Sequence, residues 1–226
     1  AILNALFSCK LSYSDEYRFD FKCVSQVDTR DAIKSLRNSK SRDTHGLSIT
    51  LIKRNVSAFV EPITKLANLI IKTGIFPDTL KIALVIPHLK KGLDAQEINN
   101  YRPISNLPVL SKVIEKILYK QLVTHFENYN IFYRHQYGFR KNRSTSDAIN
   151  NLVSKALQSF ENKQHTVAAF VDLSKAFDCV DHNILIRKLG HIYRLGIRST
   201  SLVMSFLTDR YQCVNYNNSV SNKLPI

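Results

Sequence analysis

From residue 110 onward the apolar side chains Leu110, Val113, Ile114, Ile117, Leu118 and Leu122 recur at intervals of three and four, with Lys112, Glu115, Lys116 and Lys120 between them. A helix of 3.6 residues per turn gathers the first set on one face and the second on the other, so the spacing predicts a long amphipathic helix. Ala32, Ile33 and Leu36 place another helix at 29–38, behind Asp28 or Thr29 as N-cap, and a polar break over 38–46 follows it. Residues 48–72 read as two short helices divided near Glu61-Pro62, the second closing at Gly74 with Pro77 just beyond. At 81–87 the apolar residues Ile82, Leu84 and Ile86 alternate with other apolar residues up to a proline, which is strand-like. Helices are expected at 145–160, 182–195 and 199–209, and strands at 165–171 and 211–216. Helices and strands alternate irregularly and no repeat is present, so the chain reads as one continuous α+β unit rather than a doubly wound sheet.

Its 226 residues, 44% of them hydrophobic, suffice for one large domain or two small ones. The apolar runs at 66–71 and 82–86 fall far short of the roughly 18 residues of a membrane span, and no membrane partner is expected. The chain opens on Ala1 without a basic region and apolar core of the secretory kind, so it is expected to be an internal piece of an intracellular protein. Cys9, Cys23, Cys179 and Cys213 lie far apart with no Cys-x-x-Cys pair, which points to buried reduced thiols rather than a zinc site. The formal net charge is +14, and the stretch 81–143 carries eleven Lys and Arg against four acids. Such an excess attracts polyanions, although a solvated basic face would look the same.

The chemistry concentrates around Phe170-Val171-Asp172-Leu173-Ser174-Lys175-Ala176-Phe177-Asp178-Cys179-Val180-Asp181-His182. An apolar strand that delivers Asp172 at its end puts a carboxylate at a sheet edge, where a hard cation such as Mg2+ finds oxygen ligands and keeps its waters. The alternative for a lone strand-end aspartate is a cap on the following turn. Asp178 and Asp181 read better as carboxylates at the start of the helix near 182 than as metal ligands.

These residues resemble the first palm motif of reverse transcriptases, above all those of non-LTR, LINE- and jockey-like retrotransposons. The resemblance extends along the chain in order: Thr73-Gly74, Phe76-Pro77, then Ile86-Pro87 with Lys90-Lys91-Gly92, Asn100-Tyr101-Arg102-Pro103-Ile104-Ser105-Asn106-Leu107-Pro108, Ser111-Lys112-Val113-Ile114-Glu115-Lys116, and Gln136-Tyr137-Gly138-Phe139-Arg140-Lys141-Asn142-Arg143-Ser144-Thr145. It implies right-hand polymerase fingers and a partial palm, helix-rich with an antiparallel palm sheet left incomplete. Residues 1–45 would be an upstream connector, 46–164 the fingers and fingers-palm region, and 165–226 a partial palm.

By the same resemblance Asp172 would be a catalytic metal ligand, joined by the backbone carbonyl of Leu173, for Mg2+ or Mn2+. Phe177 would lie under the incoming sugar and reject a 2′-hydroxyl, whereas the residue alone reads as a core phenylalanine. Lys90 or Lys91, with Arg102, would hold the triphosphate of a dNTP, the arginine through its fork and the lysine as a mobile point charge. Arg140, Lys141 and Arg143 would face the nucleic acid, where each adds a salt-sensitive share of binding, or else form surface charge beside a glycine turn. The implied partners are an RNA template, a DNA primer or target and dNTPs, and the implied location is nucleus and cytoplasm in a ribonucleoprotein. An alternative is a non-enzymatic, basic nucleic-acid-binding remnant of such an element; a maturase would be a third.

The chain departs from the family at Asp43-Thr44-His45-Gly46, where a Pro-Asp-Gly turn is usual, and no adjacent Asp-Asp pair occurs in it. It is therefore expected to cover the fingers and first part of the palm, to stop before the Asp-Asp hairpin, and to be catalytically incomplete alone.

Overall fold

A computed structural model of the protein describes residues 18–173, 176–216 and 219–226. They form seven α-helices and five strands, grouped in two compact units. One unit takes the chain up to His125 together with His182–Ile226, and the other is Phe126–Asp181, a division that falls at neither 45 nor 164.

In the first unit, α1 (Gln26–Ser35) begins three residues before its expected start. Ser25 is the N-cap, its hydroxyl accepting from the Asp28 amide while the Asp28 carboxylate accepts from the Ser25 amide. That reciprocal box satisfies two amides which a start at 29 would have left open, and it holds the Asp28 carboxyl below its ordinary range. The short helix α2 (Ile49–Arg54) stops at Asn55, and α3 (Val56–Thr73) runs on through Pro62. The break thus lies at Asn55, not at Glu61-Pro62. A mid-helix proline removes one backbone bond, but Val60, Ile63, Thr64, Ala67, Ile70 and Ile71 bury one whole face of α3 and hold it together. Gly74, at φ 71°, closes the helix in the left-handed region with its amide on the Ile70 carbonyl.

The strand β1 (Ile82–Leu89) passes beyond Pro87 because its partner β2 (Tyr101–Asn106) sets Pro103 opposite it. In that antiparallel ladder the bonded pairs are the even ones, as the Lys90 amide on the Asn100 carbonyl shows. The two prolines therefore meet where no N–H is required. The long helix α4 (Val109–Asn128) follows as its pattern requires. Later in the chain α6 (His182–His191) and α7 (Ile197–Leu207) lead to β3 (Tyr211–Tyr216), with the two-residue strands β4 (Ser219–Val220) and β5 (Leu224–Pro225) after it. The sheet runs β2-β1-β3-β4 with β5 also on β3, and β1 pairs with β3 in parallel, so it is mixed rather than wholly antiparallel. The core joins α1, α2, α3, α4 and α7 through Ile33, Ile52, Ile70, Val113, Ile114 and Leu202, all almost fully buried, with Phe76 set edge-on to Phe206 at 5.1 Å.

The departure at Asp43 has a structural role. Its carboxylate, only 6% exposed, accepts from the amides of His45 at 2.9 Å, Leu47 at 2.9 Å and Val109 at 2.7 Å. One side chain thus shapes the 43–47 turn and caps α4. Gly46, at φ 73°, supplies the left-handed residue that the turn requires.

In the second unit, α5 (Thr145–Glu161) starts on a second capping box, Ser144 with Asp147, and buries none of its residues. Residues 165–171 form no strand: Val167, Phe170 and Val171 are each more than four-fifths exposed. A strand exists only where a neighbour takes its ladder, and no described residue pairs with this run. Cys23 and Cys179 are exposed, against the expectation of buried thiols, while Cys213 is buried and Cys9 lies outside the described residues.

Replacing Asp43 with alanine leaves three buried amides without an acceptor and is expected to cost about 3 kcal/mol. Urea unfolding followed by circular dichroism measures it, and a loss well under 1 kcal/mol would remove Asp43 from this role.

Candidate polymerase site

The expected dNTP ligands of the fingers fall in the first unit. Arg102 stands on β2 directly opposite His88 of β1, and both side chains are exposed on one face of the hairpin. Lys90 is turned back on its own loop: its amide donates to the Asn100 carbonyl at 2.9 Å and its Nζ to the Asn99 carbonyl at 2.9 Å. Lys91, one residue on, is exposed and makes no such bond among the described residues. The two lysines are thus unequal, one fastening the loop and the other unengaged. Lys81, counted above among the basic residues, is 3% exposed and paired with Asp78 at 2.8 Å, so it adds nothing to the basic surface. It lines a cavity of about 820 Å³ bounded by α6 and α7, which holds none of the expected site residues.

The other expected residues belong to the second unit. Asp172 is exposed, and among the described residues its carboxylate takes no hydrogen bond or ion pair. A capping aspartate would have an amide on its oxygens, so the cap alternative finds no described partner here. Leu173 is exposed beside it. Two oxygen donors, one of them charged, suit part of the shell of a hard cation. No three His, Cys, Asp or Glu come together among the described residues, so these two supply only a share of such a site. Ser174 and Lys175, which follow in the motif, lie outside the described residues.

Phe177 is 77% exposed and meets Phe139 edge-on at 5.9 Å, so it is not the core phenylalanine of the alternative reading. Phe139 itself has φ 59° and Asn142 φ 58°, whereas Gly138 does not adopt a positive φ. The motif's turn thus places its left-handed residues after the glycine rather than on it. A bulky residue there costs on the order of 1 to 3 kcal/mol.

Of the three basic residues assigned to nucleic acid, Arg140 is committed elsewhere. Its Nη2 and Nε donate to the Glu127 carboxylate at 2.6 and 3.1 Å, Nη1 donates to the Tyr133 carbonyl at 3.3 Å, and the guanidinium lies 5.0 Å over the Phe132 ring. Only 12% of its side chain is exposed, so it ties the loop after α4 together. Lys141 and Arg143 remain exposed. Beside them stands a group the motif reading missed, Tyr133-Arg134-His135 with Tyr137 and, from α5, Lys155. The interleaving of aromatic and basic residues over 133–137 was its signal in the sequence.

Residues 89–225 match the family described as reverse transcriptase (RNA-dependent DNA polymerase), which is more than half of the chain. The chain belongs to that family. Within it, the chain is 31% identical over 191 residues to a probable RNA-directed DNA polymerase from transposon BS of Drosophila melanogaster, covering 84% of the chain and 21% of that protein. To the RNA-directed DNA polymerase from mobile element jockey of the same fly it is 32% identical over 159 residues, 70% of the chain and 17% of that protein. The jockey polymerase of Drosophila funebris gives 33% over 143 residues, 63% of the chain and 15% of that protein. This reverse transcriptase domain is thus of the non-LTR, jockey-like kind, and it spans about a fifth of the length of the curated relatives it matches. The fingers hairpin, with Lys90, Lys91 and Arg102, and the Asp172 segment both fall inside the matched residues.

Arg140→Ala, and equally Arg140→Lys, which cannot form the two-pronged pair, is expected to lower stability by about 2 kcal/mol. Chemical denaturation reads it, and an unchanged midpoint with weakened RNA binding would return Arg140 to the nucleic-acid surface.

Proposed function

We propose that this domain forms part of an RNA-directed DNA polymerase which copies an RNA template onto a DNA primer by phosphoryl transfer at two metal ions. The observation that carries the proposal is an exposed carboxylate at Asp172, without a described partner, at the start of the family's palm motif and inside the matched residues.

Asp172 holds negative charge where the reacting phosphates arrive, and the Leu173 carbonyl adds a neutral oxygen beside it. Bound there, Mg2+ or Mn2+ would lower the charge barrier of an in-line displacement in which the primer 3′-hydroxyl attacks the α-phosphorus and pyrophosphate leaves. Arg102 and Lys91 orient the triphosphate, Arg102 through paired N–H donors and Lys91 through its free ammonium. Lys90 fixes the loop that presents them. Phe177, braced by Phe139, offers its exposed ring as a floor for the sugar and leaves no room for a 2′-hydroxyl. The domain works in the nucleus and, as a ribonucleoprotein, in the cytoplasm. The alternative, a non-enzymatic RNA-binding remnant, needs only the basic surface and would do without Asp172.

In a longer polypeptide that contains these residues and the family's two further palm aspartates, Asp172→Ala is expected to reduce single-nucleotide incorporation by about a thousandfold, roughly 4 kcal/mol of barrier. Equal rates for the variant and its parent would discard the assignment. The 226 residues alone, with one such carboxylate, are expected not to extend an annealed primer; extension above a no-protein control would contradict that.

A further inference from the structure

Residues 131–143 fold through two successive turns ahead of α5 and bring together groups that neither the family motif nor the proposed chemistry uses. His135 is half-buried, with its ring edge-on to Tyr133 at 5.5 Å. Arg143 lies 5.8 Å over the ring of Tyr137. Partial burial first, and then the charges of Lys155, Arg134 and Arg143, hold the His135 imidazole below its ordinary range. Cations from the turns and from α5 therefore converge on one imidazole between two tyrosines.

The acids nearby are already committed. Asp147 lies close enough to feel Arg143, but its carboxylate accepts from the Ser144 hydroxyl and amide. Glu127 is held by Arg140. Like charges at close range with no counter-ion of their own are unfavourable, and an incoming polyanion relieves them. Tyrosine rings beside the cations offer stacking to unpaired bases.

We propose that Arg134, His135, Arg143 and Lys155, with Tyr133 and Tyr137, form a proton-linked seat for the phosphodiester backbone of a single nucleic-acid strand. The proposal rests on the reading of this domain as a template-using polymerase and adds to it which side chains grip the strand and how pH tunes the grip. In the free protein the surrounding cations disfavour a proton on His135. A phosphate among them reverses the field and favours one. Binding thus takes up a proton, so affinity rises as pH falls through the imidazole pKa of the complex and levels off below that of the free protein.

The test is fluorescence anisotropy of the 226-residue chain with labelled single-stranded RNA and DNA of one sequence, from about pH 5.5 to about pH 8. Affinity is expected to gain about tenfold for each unit by which binding raises the imidazole pKa, and His135→Gln is expected to abolish the gain. Replacing Arg134, Arg143 and Lys155 with glutamine is expected to lower the slope of log affinity against log salt by about 2, near 0.7 for each phosphate released. An equal response in both arms assigns the seat to the shared phosphodiester, and one confined to RNA assigns it to the template strand. Proton NMR of the His135 ring in the unaltered chain, with and without RNA, gives the same answer should a variant fail to fold. An imidazole that titrates identically in both states overturns the proposal, as does binding unchanged by the substitutions, and either leaves the polymerase reading intact. Loss of the polymerase reading would instead appear as absent metal-dependent incorporation with this pH response preserved.

Discussion

Strand β1 is hydrogen-bonded on both edges, to β2 in a hairpin and to β3 in parallel, and the parallel edge governs the rest of the first unit. Parallel neighbours cannot be joined by a tight turn, so the chain must leave β1 and come back along it. Here the excursion between them contains β2, α4, the whole of Phe126–Asp181, α6 and α7. The return sets Leu202 in the same core as Ile33 and Ile114 and stands Phe206 against Phe76. Burial of these side chains, at about 25 cal/mol per Å² of apolar surface, repays a loop-closure cost that grows only slowly with length. The chain's early residues are tied to the same place. Phe19 pairs with Leu195, and the Asp20 carboxylate sits where a side chain on Gly196 would have to go.

The hairpin that carries Lys90, Lys91 and Arg102 is anchored at its far end by the same economy of polar groups. Asn106, the last residue of β2, donates to the Arg42 carbonyl at 3.2 Å and accepts from Lys112 at 2.6 Å. Asp43 beside them caps α4. Burial of Lys112 lowers its pKa, while Asp43 and Glu115 oppose that shift. The net charge of +14 therefore divides into two populations. Lys81, Lys112 and Arg140 hold the fold, whereas Lys91, Arg102, Arg134, Arg143 and Lys155 face solvent and remain for polyanions.

Much of this was written locally in the sequence. The three-four spacing of α4, the Gly74 stop and the β3 run each appear where their residues put them, because each element is decided by its own side chains. The α1 start was displaced because Ser25 and Asp28 form a box one turn before the apolar pattern begins. The break at Asn55 was misplaced because burial of the α3 face outweighs Pro62. Residues 165–171 have strand composition but no strand, since pairing is a property of two segments and no described segment pairs with this one. For the site, Asp172 and Arg102 could be found from motifs. The capture of Arg140 by Glu127, thirteen residues earlier, and the meeting of Lys155 with His135 could not, since they depend on how the loop before α5 folds.

The central claim is that Asp172 and Leu173 stand at a metal-dependent polymerase centre. Iron-directed cleavage tests it most directly: Fe2+ takes the place of Mg2+ in a longer, polymerase-competent polypeptide containing these residues, and the hydroxyl radicals generated there cut the backbone within a few ångströms. The account predicts template-, primer- and dNTP-dependent cleavage centred on residues 172–173 and suppressed by excess Mg2+. Metal-dependent incorporation without cleavage at 172–173 would contradict it.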